Sequence, residues 1–566
     1  MAVFESKRSS KTLIDDTIAL SCTIETAQYV KDHTEYMIKV HRGPVTENSW
    51  TVTKRYSDFT ALDSVLRIAG YDLDLPPKKM FGNMDREFIA ERQIGLQAYL
   101  NVVLSYPLLA SCHAVKRFFD PQNYTTNFQE TALQHVAMIF RSEPTWEVVE
   151  PLTDIGWRLR KTYFLVKQID CPKAQHVLSW CDYGPDAFIP EKEMSQIMKI
   201  LPTIQHPYIH PVVLAASTES GAFTIRKFHE NGTLRDLICK AKPKLPCLKK
   251  YGQLKHYGFL SLNNIRCFGK QILEALKFLH QKGLPYGHLH SANIIVEQNQ
   301  CKLLDIENWC LGVPPYYRQF ITQFKKIQSM ESMDVYNFGR VLYEMACGEP
   351  FYTASCETFP PMCPPGLRTV LESILSTEAC KNGLPTVAEL LELPFFGDVV
   401  LPATDKPVMK IPTKLKEVIK TAKDSLEKRL KDDQKLVSQV RRRSKAEAFH
   451  KQEEKKKKRK SKRSSMNNIP ENNNGTTSST SPPSTPVSPT QNSAPSPTSS
   501  GGIPTPPPPP PATPAAPVPP PPAPTTPTSP PPVSGGGRHQ LLSSISGFSK
   551  SGLKKAVTVD KSAPRI

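Results

Sequence analysis

Residues 286–293 read Tyr-Gly-His-Leu-His-Ser-Ala-Asn, and this short polar stretch decides how the rest of the chain is interpreted. It follows Gln271–His280, where apolar residues recur at the spacing typical of an α-helix. Downstream, Lys302–Glu307 reads Lys-Leu-Leu-Asp-Ile-Glu, and Asp334–Gly339 reads Asp-Val-Tyr-Asn-Phe-Gly. The order of these four segments indicates the fold class of the domain that contains them.

The segments resemble those of protein kinases, and the resemblance extends over residues 141–397. In that family a loop Asp accepts the proton of the substrate hydroxyl, and an Asn that follows it holds magnesium. The resemblance places His288 at the Asp position, His290 at the position of a loop Lys, and Asn293 at the Asn position. Because the catalytic base is missing, the sequence predicts a bilobal kinase-like fold that binds and organises other molecules but has no catalytic residue. The alternative is an active Ser/Thr kinase with His288 as its base.

The resemblance also supplies candidates for holding a nucleotide. Leu165-Val166-Lys167 is similar to the third kinase strand with its ATP-pairing Lys, and Asp305 takes the place of the metal-binding Asp. Together with Asn293 they leave ATP and magnesium as an open alternative, beside the interpretation that they persist only as polar groups of the scaffold. Only Gly156 lies where a glycine-rich loop is expected, and the stretch before Lys167 is short for a loop and a hairpin.

The N-terminal part, residues 13–122, has strand chemistry followed by helical spacing. The runs Thr17–Ile24, Glu35–Val40 and Ser49–Lys54 alternate between apolar and polar residues and have turn residues between them. This pattern predicts an antiparallel three-stranded sheet packed against helices.

Three motifs in this part stand in a fixed order: Lys-Arg-Tyr-Ser-Asp-Phe at 54–59, Leu-Pro-Pro-Lys-Lys at 75–79 and Glu-Arg-Gln-Ile-Gly-Leu at 91–96. They resemble the phox-homology (PX) domain. The resemblance implies binding of phosphatidylinositol 3-phosphate, with Arg55 on the 3-phosphate, Tyr56 against the inositol ring, Lys78 on the 1-phosphate and Arg92 on ring hydroxyls. An Arg fork and a Lys point charge suit phosphate independently of the family. Lys79 is a rival to Lys78.

The formal net charge of +19 belongs largely to one segment, because Lys414–Arg463 holds 21 Lys or Arg against 8 Asp or Glu. The segment 412–463 is predicted to be a helix with one apolar stripe, formed by Leu415, Val418, Ile419, Ala422, Leu426 and Leu430. Its basic end is typical of a nuclear localisation signal, a nucleic-acid-binding patch, an anchor to anionic lipid or a solvated helix. Nucleic acid is the less favoured partner.

Residues 464–537 are rich in Pro, Ser, Thr and Gly and are predicted to be a disordered linker. The runs Pro506–Pro511 and Pro519–Pro522 favour polyproline II, which Src-homology-3 domains and profilin recognise; a plain spacer is the alternative. Residues 538–561 resemble the Wiskott–Aldrich homology module that binds monomeric actin. The resemblance implies these actin-binding residues: Leu541, Leu542, Ile545, Phe548, Leu553, Lys554 and Lys555.

The whole chain is therefore expected to be a multidomain α+β protein of 566 residues with a long Pro-rich tail. Thirteen scattered Cys, with neither an apolar span nor a secretory signal, favour a cytoplasmic location without an assigned metal site. We expect a catalytically impaired adaptor, attached peripherally to endosomal or plasma membrane, that binds actin and regulates the trafficking or activity of membrane proteins. The alternative is a kinase recruited to endosomal membranes by its PX domain.

Overall fold

The computed structural model describes residues 14–45, 48–78, 85–252, 258–361, 363–403 and 405–466. Lys79, the actin-binding residues predicted within 538–561 and both polyproline runs lie outside the described residues. In the part of the chain that the structure covers, we find no helix that combines the length and the apolar character needed to span a bilayer.

The N-terminal domain is an antiparallel sheet of three strands in the order β1-β2-β3, which confirms the predicted architecture. On β2 the alternate residues Tyr36, Ile38 and Val40 are fully buried, and they pack with Phe59 and Leu96 of two helices. The elements of this domain are β1 (Leu20–Val30), β2 (His33–Arg42), β3 (Ser49–Arg55), α1 (Tyr56–Leu66), α2 (Arg86–Ser105), α3 (Pro107–Ser111), α4 (His113–Phe119) and α5 (Pro121–Tyr124).

The small lobe of the kinase-like domain is a five-stranded antiparallel sheet in the order β4-β5-β6-β8-β7. A connecting helix covers one face of this sheet, because its buried residues Ala132 and Val136 pack against Trp146 and Trp180. The elements are α6 (Phe128–Ser142), β4 (Trp146–Pro151), β5 (Lys161–Gln168), β6 (Gln175–Asp182), α7 (Glu191–Ile200), β7 (Leu214–Ser217) and β8 (Gly221–Lys227). The run Leu165–Lys167 therefore lies on the second strand of the sheet. The sequence analysis predicted the third strand, and this prediction is wrong.

The large lobe is helical and is built around α12, whose residue Asp334 is completely buried. Asp334 Oδ1 accepts a hydrogen bond from the backbone N–H of Gly287 at 2.7 Å, so this helix holds the loop that contains His288. The elements are α8 (Leu234–Ile238), α9 (Cys247–Tyr251), α10 (Leu262–Gln281), β9 (Ile294–Glu297), β10 (Gln300–Leu303), α11 (Arg318–Ile321), α12 (Met330–Cys347), α13 (Pro365–Leu375), α14 (Thr377–Asn382), α15 (Val387–Glu392) and α16 (Pro394–Gly397). Single 3-10 turns occupy Arg67–Ala69, Leu201–Thr203 and Ser291–Asn293.

A long helix, α17 (Thr413–Met466), packs its first half on the kinase-like domain. The predicted stripe faces this domain: Leu415, Ile419, Ala422 and Leu430 are buried, and Val418 and Leu426 are partly buried beside them. The Gln434 amide donates to the carbonyls of Phe324 and Ile327 at 2.8 and 2.7 Å. Arg318 joins three parts of the chain, since its guanidinium lies within 4 Å of Asp15, Asp186 and Asp433.

Candidate functional site

The cleft between the two lobes contains Asp305, which follows β10 and has a left-handed φ of 56°. Lys161, the first residue of β5, places its Nζ 2.8 Å from Asp305 Oδ2 and 2.9 Å from Asn308 Oδ1. Burial acts to raise the pKa of Asp305, but Lys161 and Arg226 outweigh this effect and leave the pKa below its ordinary value. Asp305 is therefore a carboxylate that protein cations already neutralise.

Lys167, the predicted partner of a nucleotide, does not reach this carboxylate. Its Nζ lies 3.3 Å from Glu147 Oε2, and the two side chains are 33% and 57% exposed. Lys161 and Lys167 are separated by about 20 Å along β5, at roughly 3.3 Å per residue. The structure thus places Lys161 where Lys167 was expected. The short stretch before Lys167, noted in the sequence, was the signal that this strand is the second one.

Sequence reasoning missed Arg226 on β8, which pairs with the buried Glu307. Arg226 Nη2 donates to Glu307 Oε2 at 2.6 Å, and Nη1 donates to Oε1 at 3.2 Å. Glu307 stands where active kinases have the Gly that lets this segment bend. A buried Glu there requires a buried cation, so the substitution itself was a signal that a partner had to exist. The ion pair fixes the segment after Asp305 to the small lobe.

His288 and His290, the two degenerate positions of the loop, are both 2% exposed. Arg158 donates a hydrogen bond from Nη2 to His288 Nδ1 at 3.1 Å and another from Nη1 to the Pro314 carbonyl at 2.8 Å. Burial, reinforced by Arg158, lowers the pKa of His288 well below its ordinary value, and the pKa of His290 is lowered in the same way. His288 is therefore neutral, and its Nδ1 lone pair is already engaged by a cation.

The loop between β4 and β5, residues 152–160, lies inside the cleft. The Trp157 ring centroid is 4.7 Å from that of Tyr316, and the backbone N–H of Cys247 donates to the Asp154 carbonyl at 2.6 Å. A cavity beside Arg158, which Asp16 and Ser111 of the N-terminal domain also line, has a volume of about 30 Å³, whereas pockets for small molecules typically measure about 300–1,000 Å³. A nucleotide would have to displace this loop.

Asn293 lies close to Asp305 in the fold, and its side chain and backbone hold the loop together. Its Nδ2 donates to the His288 carbonyl at 3.1 Å, and its own carbonyl accepts from Leu304 N–H at 2.8 Å. The structure therefore brings His288, Asn293 and Asp305 into one loop cluster. In this cluster the Asp305 carboxylate is paired with Lys161, whereas the contact of Asn293 engages its amide nitrogen and not the oxygen that could hold magnesium.

A second candidate site lies on the N-terminal domain, at the junction of β3 and α1. Arg92 places its guanidinium carbon 4.5 Å from the Tyr56 ring centroid and 4.2 Å from that of Phe88. The Tyr56 hydroxyl donates to the Pro76 carbonyl at 2.5 Å, and Arg92 Nη2 donates to the Pro77 carbonyl at 3.3 Å. The proline loop is thus held against the two residues. Phe88 was missed, although its position four residues before Arg92 on α2 was a usable signal.

The two other predicted cations border the same site and are open to solvent. The Arg55 side chain is 56% exposed, and its Nε lies 3.8 Å from Glu35 Oε1. Lys78 is exposed directly after Pro77. Arg55, Tyr56, Lys78 and Arg92 therefore lie around one region, with two exposed cations outside and one cation packed against aromatic rings.

Comparisons with known proteins agree with this division of the chain. The family model "PX domain" matches residues 44–122, and the family model "WH2 motif" matches residues 534–563. Fold and motifs together define a PX domain joined to a kinase-like domain, followed by an actin-binding motif.

A curated mouse relative, "PX domain-containing protein kinase-like protein", is 53% identical over 448 residues, which are 79% of this chain and 77% of the relative. The chain belongs to this family of PX domain-containing protein kinase-like proteins. The Dictyostelium discoideum "Probable inactive serine/threonine-protein kinase slob1" is 30% identical over 50% of each chain. The mouse protein "Sorting nexin-16" is 38% identical over 17% of this chain and 30% of its own length.

Proposed function

We propose that this protein is a pseudokinase adaptor that attaches to membranes containing phosphatidylinositol 3-phosphate and binds monomeric actin. In this proposal it regulates the trafficking or activity of membrane proteins at an endosomal or plasma membrane and transfers no phosphate itself. The observation that carries the proposal is the arrangement around Arg92, where a rigid guanidinium, an aromatic ring and two exposed cations border one region.

The lipid part of the proposal rests on the different environments of these four residues. Arg92 is held between two rings and has little freedom to lose on binding, so its donors are preorganised. Arg55 is exposed and weakly paired, so its guanidinium is available for a bidentate contact with a phosphate. The selection of the 3-phosphate follows from the family resemblance at Arg55.

Binding to vesicles with and without phosphatidylinositol 3-phosphate tests this assignment. Arg55→Ala in the full chain should weaken the lipid-dependent binding about 10- to 100-fold, the value of a charge-assisted hydrogen bond of about 1.5–3 kcal/mol. Arg67→Ala is the matched control, because Arg67 is an exposed Arg of the same domain that pairs with Asp63. Equal binding by the Arg55 and Arg67 variants, or equal binding to both kinds of vesicle, would contradict the assignment.

The pseudokinase part of the proposal is supported by the loop over the cleft. Phosphoryl transfer needs a base and a positioned nucleotide. Here Arg158 donates a hydrogen bond to the His288 ring, and Lys161 pairs with the Asp305 carboxylate. We propose that the cleft is closed to magnesium–ATP in this state. His288→Asp should not create a kinase, because the new carboxylate would pair with Arg158 and hold the loop more firmly.

A phosphotransfer assay on the full chain separates this proposal from the alternative of an active Ser/Thr kinase. Wild-type protein and the isosteric Asp305→Asn variant should both incorporate no phosphate into protein substrates above a protein-free blank. Robust incorporation by the wild type that is lost in the Asp305→Asn variant would favour the active kinase.

A further inference from the structure

The PX domain contacts both lobes of the kinase-like domain through two adjacent acidic residues. Asp16 Oδ2 lies 3.4 Å from Nε of Arg160, which ends the loop over residues 152–160. Asp15 Oδ2 lies 3.5 Å from Nε of Arg318, the first residue of α11 in the large lobe. The side chains of Asp15 and Arg318 are only 3% and 9% exposed. The two carboxylates therefore join the PX domain to the loop and to the large lobe at the same time.

Asp16 is fixed to the folded part of the PX domain. The Lys116 ammonium donates to the Asp16 backbone carbonyl at 2.9 Å, and the Tyr124 hydroxyl donates to Asp16 Oδ1. Lys116 and Tyr124 are both buried. Arg160 is therefore paired with a carboxylate whose position the PX domain as a whole determines.

A hydrophobic cluster forms a second part of this interface, and the loop takes part in it. Leu108 of α3 packs with Tyr251 of α9, and Trp157 of the loop lies against the same cluster. Next to this cluster, the backbone of Gly252 approaches the PX domain so closely that a Cβ atom on it would overlap the Ala69 carbonyl oxygen. Only a glycine leaves room for this approach.

We propose that the docked PX domain keeps the kinase-like cleft closed, because it holds the loop over residues 152–160 in place from outside. Arg158 contacts His288 inside the cleft, whereas Arg160, two residues later, pairs with Asp16 of the PX domain. The loop lies between the cleft and the PX domain, so the cleft opens only when the PX domain moves away. By linkage, a ligand that displaces the loop also weakens the docking of the PX domain. This inference adds a controlling domain to the proposed closure of the cleft and does not depend on lipid binding.

Hydrogen–deuterium exchange on the full chain, without lipid or nucleotide, tests this proposal. Gly252→Ala places a methyl group against the PX domain and lies outside the cleft. Overpacking of this kind typically shifts an equilibrium about 5- to 150-fold, and the amides of residues 152–160 should exchange faster by a similar factor. Gly397→Ala is the matched control, because a Cβ atom on Gly397 would meet nothing within 4 Å. Its loop should exchange as in wild type, and β2 and α12 should exchange equally in all three proteins because both domains stay folded.

Asp16→Asn tests the same link from the side of the PX domain. The variant keeps the shape of the side chain but removes the charge that pairs with Arg160. Loss of such a partly exposed pair should speed exchange of the loop about two- to fivefold, whereas Asp32→Asn, at an exposed Asp of the same domain, should not.

Loop exchange at the wild-type rate in both Gly252→Ala and Asp16→Asn would overturn the proposal. If Gly252→Ala also accelerates exchange in β2 or α12, the comparison of Asp16→Asn with Asp32→Asn decides alone. Because the assay contains neither lipid nor nucleotide, its failure would leave the vesicle and phosphotransfer results standing, so a failure of the proposed function is distinguishable from a failure of this inference.

Discussion

Lys161→Met should destabilise the kinase-like domain more than Lys167→Met does. The Lys161 ammonium lies 2.8 Å from Asp305 and 3.7 Å from Glu307, and its side chain is 1% exposed. Without it, the nearest cation to Asp305 is Arg226 at 3.8 Å. Removing one member of a buried ion pair leaves an uncompensated charge and costs about 3–5 kcal/mol. Methionine keeps most of the volume, so the loss reports the charge.

Lys167→Met is the matched control on the same strand. Its ion pair with Glu147 is solvent-exposed, and an exposed pair contributes about 0–1 kcal/mol. In a thermal unfolding experiment on the full chain, about 1 kcal/mol shifts Tm by roughly 2–4 °C for a domain of this size. We therefore expect a fall of about 6–20 °C for Lys161→Met and less than about 4 °C for Lys167→Met. Equal shifts, or a larger shift for Lys167→Met, would refute the placement of Lys161 against Asp305.

Two further predictions concern pH and actin. Burial lowers the pKa of His210 to about 2. Because the unfolded chain protonates this His below about pH 6.5 and the folded chain does not, it should subtract about 2 kcal/mol from the free energy of unfolding between about pH 7.5 and about pH 5; the lowered pKa of His288 acts in the same direction. A Tm independent of pH in this window would disprove it. A peptide of residues 538–561 should bind monomeric actin in an anisotropy assay, and Leu541→Ser with Ile545→Ser should abolish binding by removing two apolar anchors of about 1.5–3 kcal/mol each. Equal affinity of the two peptides would refute the resemblance.

The elements that sequence reasoning predicted correctly are those set by local patterns. The alternation around Tyr36 and Ile38 gave the three-stranded sheet, and the stripe from Leu415 to Leu430 gave the docked face of α17. In both cases the spacing of apolar residues decides which face is buried, and this spacing can be read without knowledge of the partner.

The cleft could not be predicted in the same way, because its contacts join residues that are distant along the chain. Lys161 and Lys167 lie on one strand, and only the place of that strand in the sheet decides which of them reaches Asp305. The sequence shows that further glycines are lacking around Gly156. It does not show that the Arg158 side chain enters the cleft and contacts His288. Arg226 was missed for the same reason, since its partner is 81 residues away along the chain.

The loop over residues 152–160 has a consequence for any small molecule directed at the cleft. Such a molecule binds only the fraction of protein in which the loop has opened, so its apparent Kd is its intrinsic Kd divided by that fraction. If breaking the contacts of Arg158 with His288 and Pro314 costs about 3 kcal/mol in total, every compound appears more than about a hundredfold weaker than its fit. The same factor weakens every member of a panel of kinase inhibitors, so the hold on Arg158 sets the general level of binding, while the fit of each compound sets its rank within the panel.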